Sequence, residues 1–316
     1  MTALTQADAA RTDTPRGQTR QPGKTSDAPV PLLPGSLTWR DFGTHLFTLV
    51  LPQAFILQVS HPVINSAVTV EKKYLYDPWG RARGSLELLW PVVYSRPDRA
   101  IAMGHKLREL HRQIKGTDAR GHKFHALDPE AYSWVHLTGF AATMTLHELF
   151  GAPLSAEERA RHFDEWKQLG ALLGIKPRFI PQTEQAYWQE YNRIIEQRLD
   201  ADNEALRDLL DKDHFAKWPV HPALEGKLPR WLWRLLMTAP SRMAHIITKA
   251  TLPERFREKA GLRLSGTDRF IFRAFVRLVR TLHPLVPEKY RYLPLAWEAI
   301  EDARQHPQAY RLPANT

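Results

Sequence analysis

Ile101-Ala102-Met103-Gly104-His105-Lys106-Leu107-Arg108-Glu109-Leu110-His111-Arg112-Gln113-Ile114-Lys115-Gly116 is the stretch that decides the fold. Met103, Leu107, Leu110, His111 and Ile114 recur at the three- and four-residue spacing that gathers side chains on one face of an α-helix. Gly116 reads as its C-cap. A strand would alternate with period two, and no alternating run of five or more β-branched residues between hairpin turns occurs in the chain. The helical period continues in both directions. Leu46, Leu49 and Val50 form one apolar stripe, and a second segment runs from Ala54 to His61, where Pro62 follows. Asp128-Pro129 has the form of an N-cap and first helical residue, opening a helix towards Phe150-Gly151. Ser155 with Glu158 is a capping-box pair for a helix through about Leu173, and Thr183 opens another through about Leu210. After it, Pro219, Pro222, Pro229, Pro240, Pro253, Pro284 and Pro287 divide a series of shorter helices.

The expectation is an all-α chain: a single multi-helical domain over residues 34–316, with its core motifs in 52–183 and a basic, proline-broken region in 228–316. Residues 1–33 carry almost no large apolar side chains and read as a disordered tail. The 10 Trp, 13 Phe and 9 Tyr among 316 residues supply ample material for a core. The absence of cysteine excludes a disulfide scaffold, zinc ribbons, iron–sulfur ligation, a cysteine nucleophile and thiolate-bound haem. It fits a reducing, cytoplasmic setting. No run of ~18 apolar residues is present, and the polar N-terminus lacks the apolar region of a secretory signal.

The formal charge of +10 is unevenly placed, with 16 Lys and Arg against 7 Asp and Glu from Leu228 to the end. Such a surface suits an anionic membrane, an acidic partner or plain solvation. No zinc-finger, RNA-recognition or helix-turn-helix pattern accompanies it, so nucleic acid is not an expected partner.

Several chemistries fall away on motif grounds. There is no glycine-rich phosphate loop, no H-E-x-x-H and no G-x-S-x-G elbow. None of the 14 His has Glu three residues before it, as a helical di-iron site requires. His162-Phe163-Asp164 contains half a facial triad, but on a helix those two side chains diverge by ~200°. What remains is histidine in apolar helical settings. His111 on its stripe has the character of a haem axial ligand, which needs an apolar slot and one neutral nitrogen donor. It has equally the character of a core histidine bonded to a backbone carbonyl. His61, His105, His136 and His147 stand open to the same two readings.

Leu57-Gln58-Val59-Ser60-His61-Pro62 resembles the L-Q-x-x-H-P element of the MpaB/rubber-oxygenase family, which includes the latex-clearing proteins. Asp77-Pro78-Trp79-Gly80-Arg81 resembles its D-P-x-x-R, and His111-Arg112-Gln113-Ile114-Lys115-Gly116 its H-x-x-V-x-G. Leu127-Asp128-Pro129-Glu130 with Trp134-Val135-His136 resembles A-x-D-P-x-x-x-x-W-V-H. Phe150 to Ser155, Leu173-Gly174 and Ile180-Pro181 resemble later landmarks in the same order.

The resemblance implies an all-helical fold with a globin-like pocket for haem b, and an oxygenase acting with O2 on a small hydrophobic substrate of the isoprenoid kind. It puts His111 at the iron ligand and Arg81 on the distal side, where a guanidinium hydrogen-bonds dioxygen or a propionate. Ser85 stands where relatives carry Thr, one helical turn from Arg81. His61 and His136 belong to family motifs as propionate or helix-cap residues, and Thr138 and Thr143, on the His136 helix, are expected to line the pocket. Two departures stand out. Gly84 occupies the place of a distal lysine, which removes a lysine-ligated closed state, and the glutamate base of rubber cleavage has no counterpart. Two alternatives compete. One is a non-catalytic basic module meeting lipid or membrane through Leu228 to Lys249, with Trp231, Trp233, Leu235, Leu236 and Met237 beside Arg230, Arg234 and Arg242. The other is a haem sensor or peroxidase-like protein.

Overall fold

A computed structural model describes residues 29–312. The expected tail falls mostly outside them. Its last five residues, 29–33, lie against the domain: Leu32 is buried, its carbonyl accepts from the Trp39 indole, and the Gln168 amide donates to Val30 and Pro31.

The described chain is all-α apart from one small hairpin. Helix α1 (Leu37–Asp41) leads into α2 (His45–Val59), α3 (Pro62–Glu71), α4 (Lys73–Tyr76), α5 (Pro78–Val93) and α6 (Pro97–Gln113). Strands β1 (Lys115–Thr117) and β2 (Lys123–His125) pair antiparallel, with Gly116 opposite Phe124. Then come α7 (Pro129–Leu149), α8 (Ala156–Leu172), α9 (Glu184–Gln197), α10 (Glu204–Leu209) and α11 (His214–Lys217). The chain ends with α12 (Arg230–Thr251), α13 (Glu254–Lys259), α14 (Gly266–Leu282) and α15 (Pro294–Gln305).

Two predicted helix starts are present with their chemistry. The Asp128 carboxylate accepts from the Ala131 amide, with Pro129 first in α7. Ser155 and Glu158 form the reciprocal capping box of α8. Other expectations need correcting. Helix α2 is continuous through Pro52, because Phe47, Val50, Gln53, Ala54, Ile56 and Leu57 are buried around the break and packing holds what one lost hydrogen bond releases. Likewise α12 runs through Pro240. The segment from Thr183 divides into α9 and α10, since the Asp200 amide donates to the Ser60 carbonyl and Asn203 caps α10. Gly116 lies in β1, not at a helix end, and α6 stops at Gln113.

Helix α7 is the core. Ala131, Trp134, Leu137, Phe140, Ala142 and Met144 are buried on it, and α2 is its most extensive neighbour. Helix α6 reaches α8 through Gly104, where a Cβ would lie 2.4 Å from the Leu172 carbonyl oxygen. The inward stripe of α6 is therefore Ala100, Gly104 and Leu107, small enough for close approach, while Leu110 is exposed. No single helix among the described residues is long and apolar enough to cross a membrane. Only α2 and α3 together reach that length and apolarity, and they bend by 100° at their junction.

Glu165 ties α1 to α8. Its carboxylate accepts from the Leu37 and Thr38 amides, the Thr38 hydroxyl and Arg161, capping α1 from outside. Burial opposes its charge, but the His162 ring and these amide donors hold its pKa down at about 2. Its contribution to stability is complete above the ordinary carboxylate range and lost as pH falls towards that value. Glu165→Ala should cost ~2–3 kcal/mol at neutral pH, because two amides and a hydroxyl lose their acceptor. Chemical denaturation checks this, and a variant within ~0.5 kcal/mol of wild type refutes the tie.

Candidate functional site

Helix α6 delivers His111 in its last turn. Its Nδ1 lies 2.8 Å from the Leu107 carbonyl oxygen. A carbonyl only accepts, so Nδ1 carries the proton and Nε2 keeps its lone pair. No hydrogen bond to Nε2 is made among the described residues. Burial lowers the His111 pKa and the nearby Arg81 charge lowers it further, against the Leu107 carbonyl. The ring is thus a neutral imidazole with one free nitrogen, its conformation fixed from behind by a backbone acceptor, as metal-bound histidines are. Its edge rests against Tyr132 of α7, with centroids 5.5 Å apart. The Tyr132 hydroxyl donates to the Leu173 carbonyl at 3.0 Å, so that ring is held as well.

Helix α5 packs beside α6 and carries the second part of the constellation. Asp77 caps it by accepting from the Gly80 amide at 2.9 Å, with Pro78 as first residue. One turn in, the Arg81 guanidinium donates to Ser85 Oγ, whose hydroxyl donates back to the Arg81 carbonyl at 2.9 Å. Arg81 has no carboxylate partner among the described residues. A Cβ built on Gly84 meets no atom within 4 Å, so the face between Arg81 and Ser85 opens on free space.

Thr138 sits where α2 crosses α7. Its hydroxyl accepts from the Gln58 amide and donates to the Val135 carbonyl, both at 2.8 Å. One turn back along each helix, Phe55 is 47% and Val135 is 41% exposed, although Ala54, Ile56, Trp134 and His136 beside them are buried. Phe55 and Val135 are thus large apolar side chains left uncovered on the two helices that meet at Thr138.

The structure brings Arg81, Ser85 and His111 onto one helix pair and sends the other histidines elsewhere. His61 is fully buried and lies 3.3 Å from Glu130, which also accepts from Arg193 and Arg198. That is a network joining α3, α7 and α9. His136 stacks on Trp166 of α8, 5.4 Å away, with Nδ1 buried and unpartnered. Thr143 bonds His162, and His147 bonds Asp41. His105 is exposed. Gln58 belongs to the Leu57–Pro62 element, whereas the contact of Tyr132 with His111 has no local signal in the sequence.

Among the described residues no three His, Asp or Glu side chains converge as a metal site. A porphyrin iron asks only for one nitrogen, because its other in-plane ligands are its own. His111 meets that requirement in tautomer, charge and partial burial, and the uncovered apolar residues on α2 and α7 suit a flat apolar group. In comparisons with known proteins, residues 39–281 match the family described as "ER-bound oxygenase mpaB/B'/Rubber oxygenase, catalytic domain". No curated protein and no solved structure matches.

Burial holds the His136 pKa down at about 3. The unfolded chain takes up that proton near the ordinary value, so folding is favoured fully above ~6.5 and loses up to ~1.4 kcal/mol per pH unit below it. Melting temperature should therefore fall as pH drops from 7 towards 4, and His136→Phe should make the decline shallower. An equally steep decline in the variant shows that this ring is not buried in its neutral form.

Proposed function

This chain belongs to the ER-bound oxygenase mpaB/B'/rubber oxygenase catalytic-domain family, and from that premise we propose a haem-b-dependent oxygenase acting with O2 on a small hydrophobic substrate. The observation that carries the reading is the His111 imidazole, with Nδ1 engaged by Leu107 and Nε2 free. Bound haem would supply an iron that binds dioxygen and delivers its oxygen to carbon.

The chain's own residues divide the remaining work. Leu107 fixes the tautomer that presents Nε2, and burial keeps the ring neutral, which suits oxygen binding better than the strong donation a thiolate gives. Tyr132 limits rotation of the imidazole. Arg81, without a carboxylate partner among the described residues and held by Ser85, offers several N–H donors to an anionic or polarised oxygen. The open space beside Gly84 leaves that guanidinium room to approach a bound group. Phe55 and Val135 offer apolar surface to a substrate without polar handles, and isoprenoid alkenes are the first class to try.

His111→Gly should abolish the Soret band of the purified protein, and added imidazole should restore it by filling the vacated position. His61→Gln should leave the band in place. Full haem loading in His111→Gly without imidazole overturns the ligand assignment. Arg81→Leu should retain the Soret band while substrate-dependent oxygen consumption falls by about a hundredfold, the scale of losing a positioned donor. Unchanged turnover in that variant removes Arg81 from the chemistry.

A further inference from the structure

Helix α12 buries one face and leaves the other unlike a solvated surface. Trp231 is 67% exposed, Leu235 64% and Leu236 56%, all within its first two turns. Leu224, in the turn before the helix, is also exposed. Trp231 and Leu235 are four residues apart and share a side of the helix. Cations are threaded between them: Lys227, Arg230 and Arg234, with Glu225 the single acid from Leu224 to Arg242. Arg242 pairs with Asp213, whereas Arg230 and Arg234 have no ion pair among the described residues. The inner face is firmly seated. Trp233 is buried and its indole donates to the Trp218 carbonyl at 3.0 Å. The outer apolar residues are thus not a core face turned outward.

The same anchor reaches the candidate site. Trp79 packs edge-on against Trp218 at 4.8 Å and Trp233 at 6.0 Å, and its indole donates to the Pro219 carbonyl. Trp79 lies two residues before Arg81 on α5. Leu75 and the 75%-exposed Tyr76 stand on α4, the turn leading into that helix.

We propose that the outer face of the first turns of α12 docks this protein on an anionic phospholipid bilayer, beside the helix that carries Arg81. Trp and Leu enter the boundary between headgroups and acyl chains, and the unpaired guanidiniums meet lipid phosphates. Charge decides against a second copy of the chain as occupant, since a two-fold contact would set Arg230 and Arg234 against themselves. Nucleic acid would leave three large apolar side chains in water. Attachment needs no haem. Its use, to draw a lipid-dissolved substrate towards α5, rests on the oxygenase reading.

Co-sedimentation of the full chain with vesicles tests this. The protein should pellet with phosphatidylcholine–phosphatidylglycerol vesicles at low salt and stay in the supernatant with phosphatidylcholine alone. Arg230→Gln with Arg234→Gln should weaken binding roughly thirtyfold. The triple variant Trp231→Ser, Leu235→Ser, Leu236→Ser should lose it while melting as wild type does, because none of the three packs inward. Equal pelleting with both vesicle types, or unchanged binding in both variants, overturns the proposal. So does a dimer in light scattering that the triple variant dissolves. The Soret band is scored on the same samples: a colourless protein that still binds anionic vesicles leaves this surface standing and removes the oxygenase reading.

Discussion

The packing of α7 among its neighbours is the constraint on which the remaining structure depends. Three aromatic side chains donate to backbone carbonyls across its interfaces. The Trp134 indole reaches Leu57 of α2 at 3.0 Å, the Trp166 indole of α8 reaches His136 at 2.9 Å, and the Tyr187 hydroxyl of α9 reaches Leu137 at 2.6 Å. Each large ring is buried with its polar atom satisfied, so it contributes apolar burial without the penalty of a stranded donor. Because each bond fixes a side chain to one position along a helix, the three together set the register of α2, α8 and α9 on α7. Tyr132, one turn before His136, is placed by that register against the His111 ring. The candidate site inherits its geometry from a core whose members otherwise have no part in it.

The site combines one neutral nitrogen with one cation that has no ion pair among the described residues. These demands pull in opposite directions, since a nearby guanidinium disfavours a protonated imidazole. Here the opposition is useful. Arg81 lowers the affinity of His111 for a proton, and the Leu107 carbonyl decides which nitrogen keeps the remaining one. Gly84 gives up helix propensity between Arg81 and Ser85 and leaves that flank of α5 uncovered. Trp79 ties the same end of α5 to Trp218 and to Trp233 of α12.

Much of this architecture was legible because it is local. Asp128-Pro129 and the Ser155–Glu158 pair each announce a helix start within four residues, and both starts are present. The i, i+4 spacing of Arg81 and Ser85 likewise forecast a shared face, and their side chains bond. What could not be read depends on partners distant in sequence. Proline at 52 and at 240 argues locally for a break, yet both helices run through, the first of them among buried neighbours. The interruption between α9 and α10 comes from Ser60, some 140 residues upstream of the Asp200 amide it receives. Gly116 looked like a cap because its real function, making room for the Phe124 ring across a hairpin, involves a residue eight positions on. For the same reason His61 and His136 share a motif-level description with His111, although His61 meets Glu130 and His136 stacks on Trp166, both distant in sequence.

The most direct test is the absorption spectrum and iron content of the protein as isolated from cells supplied with iron. Haem b at one iron per chain, with a single Soret band whose ferrous form responds to dioxygen, is what the proposed ligand role of His111 predicts. A colourless, iron-free protein that also fails to take up added haemin would contradict it, and would leave His111 a core histidine held by Leu107.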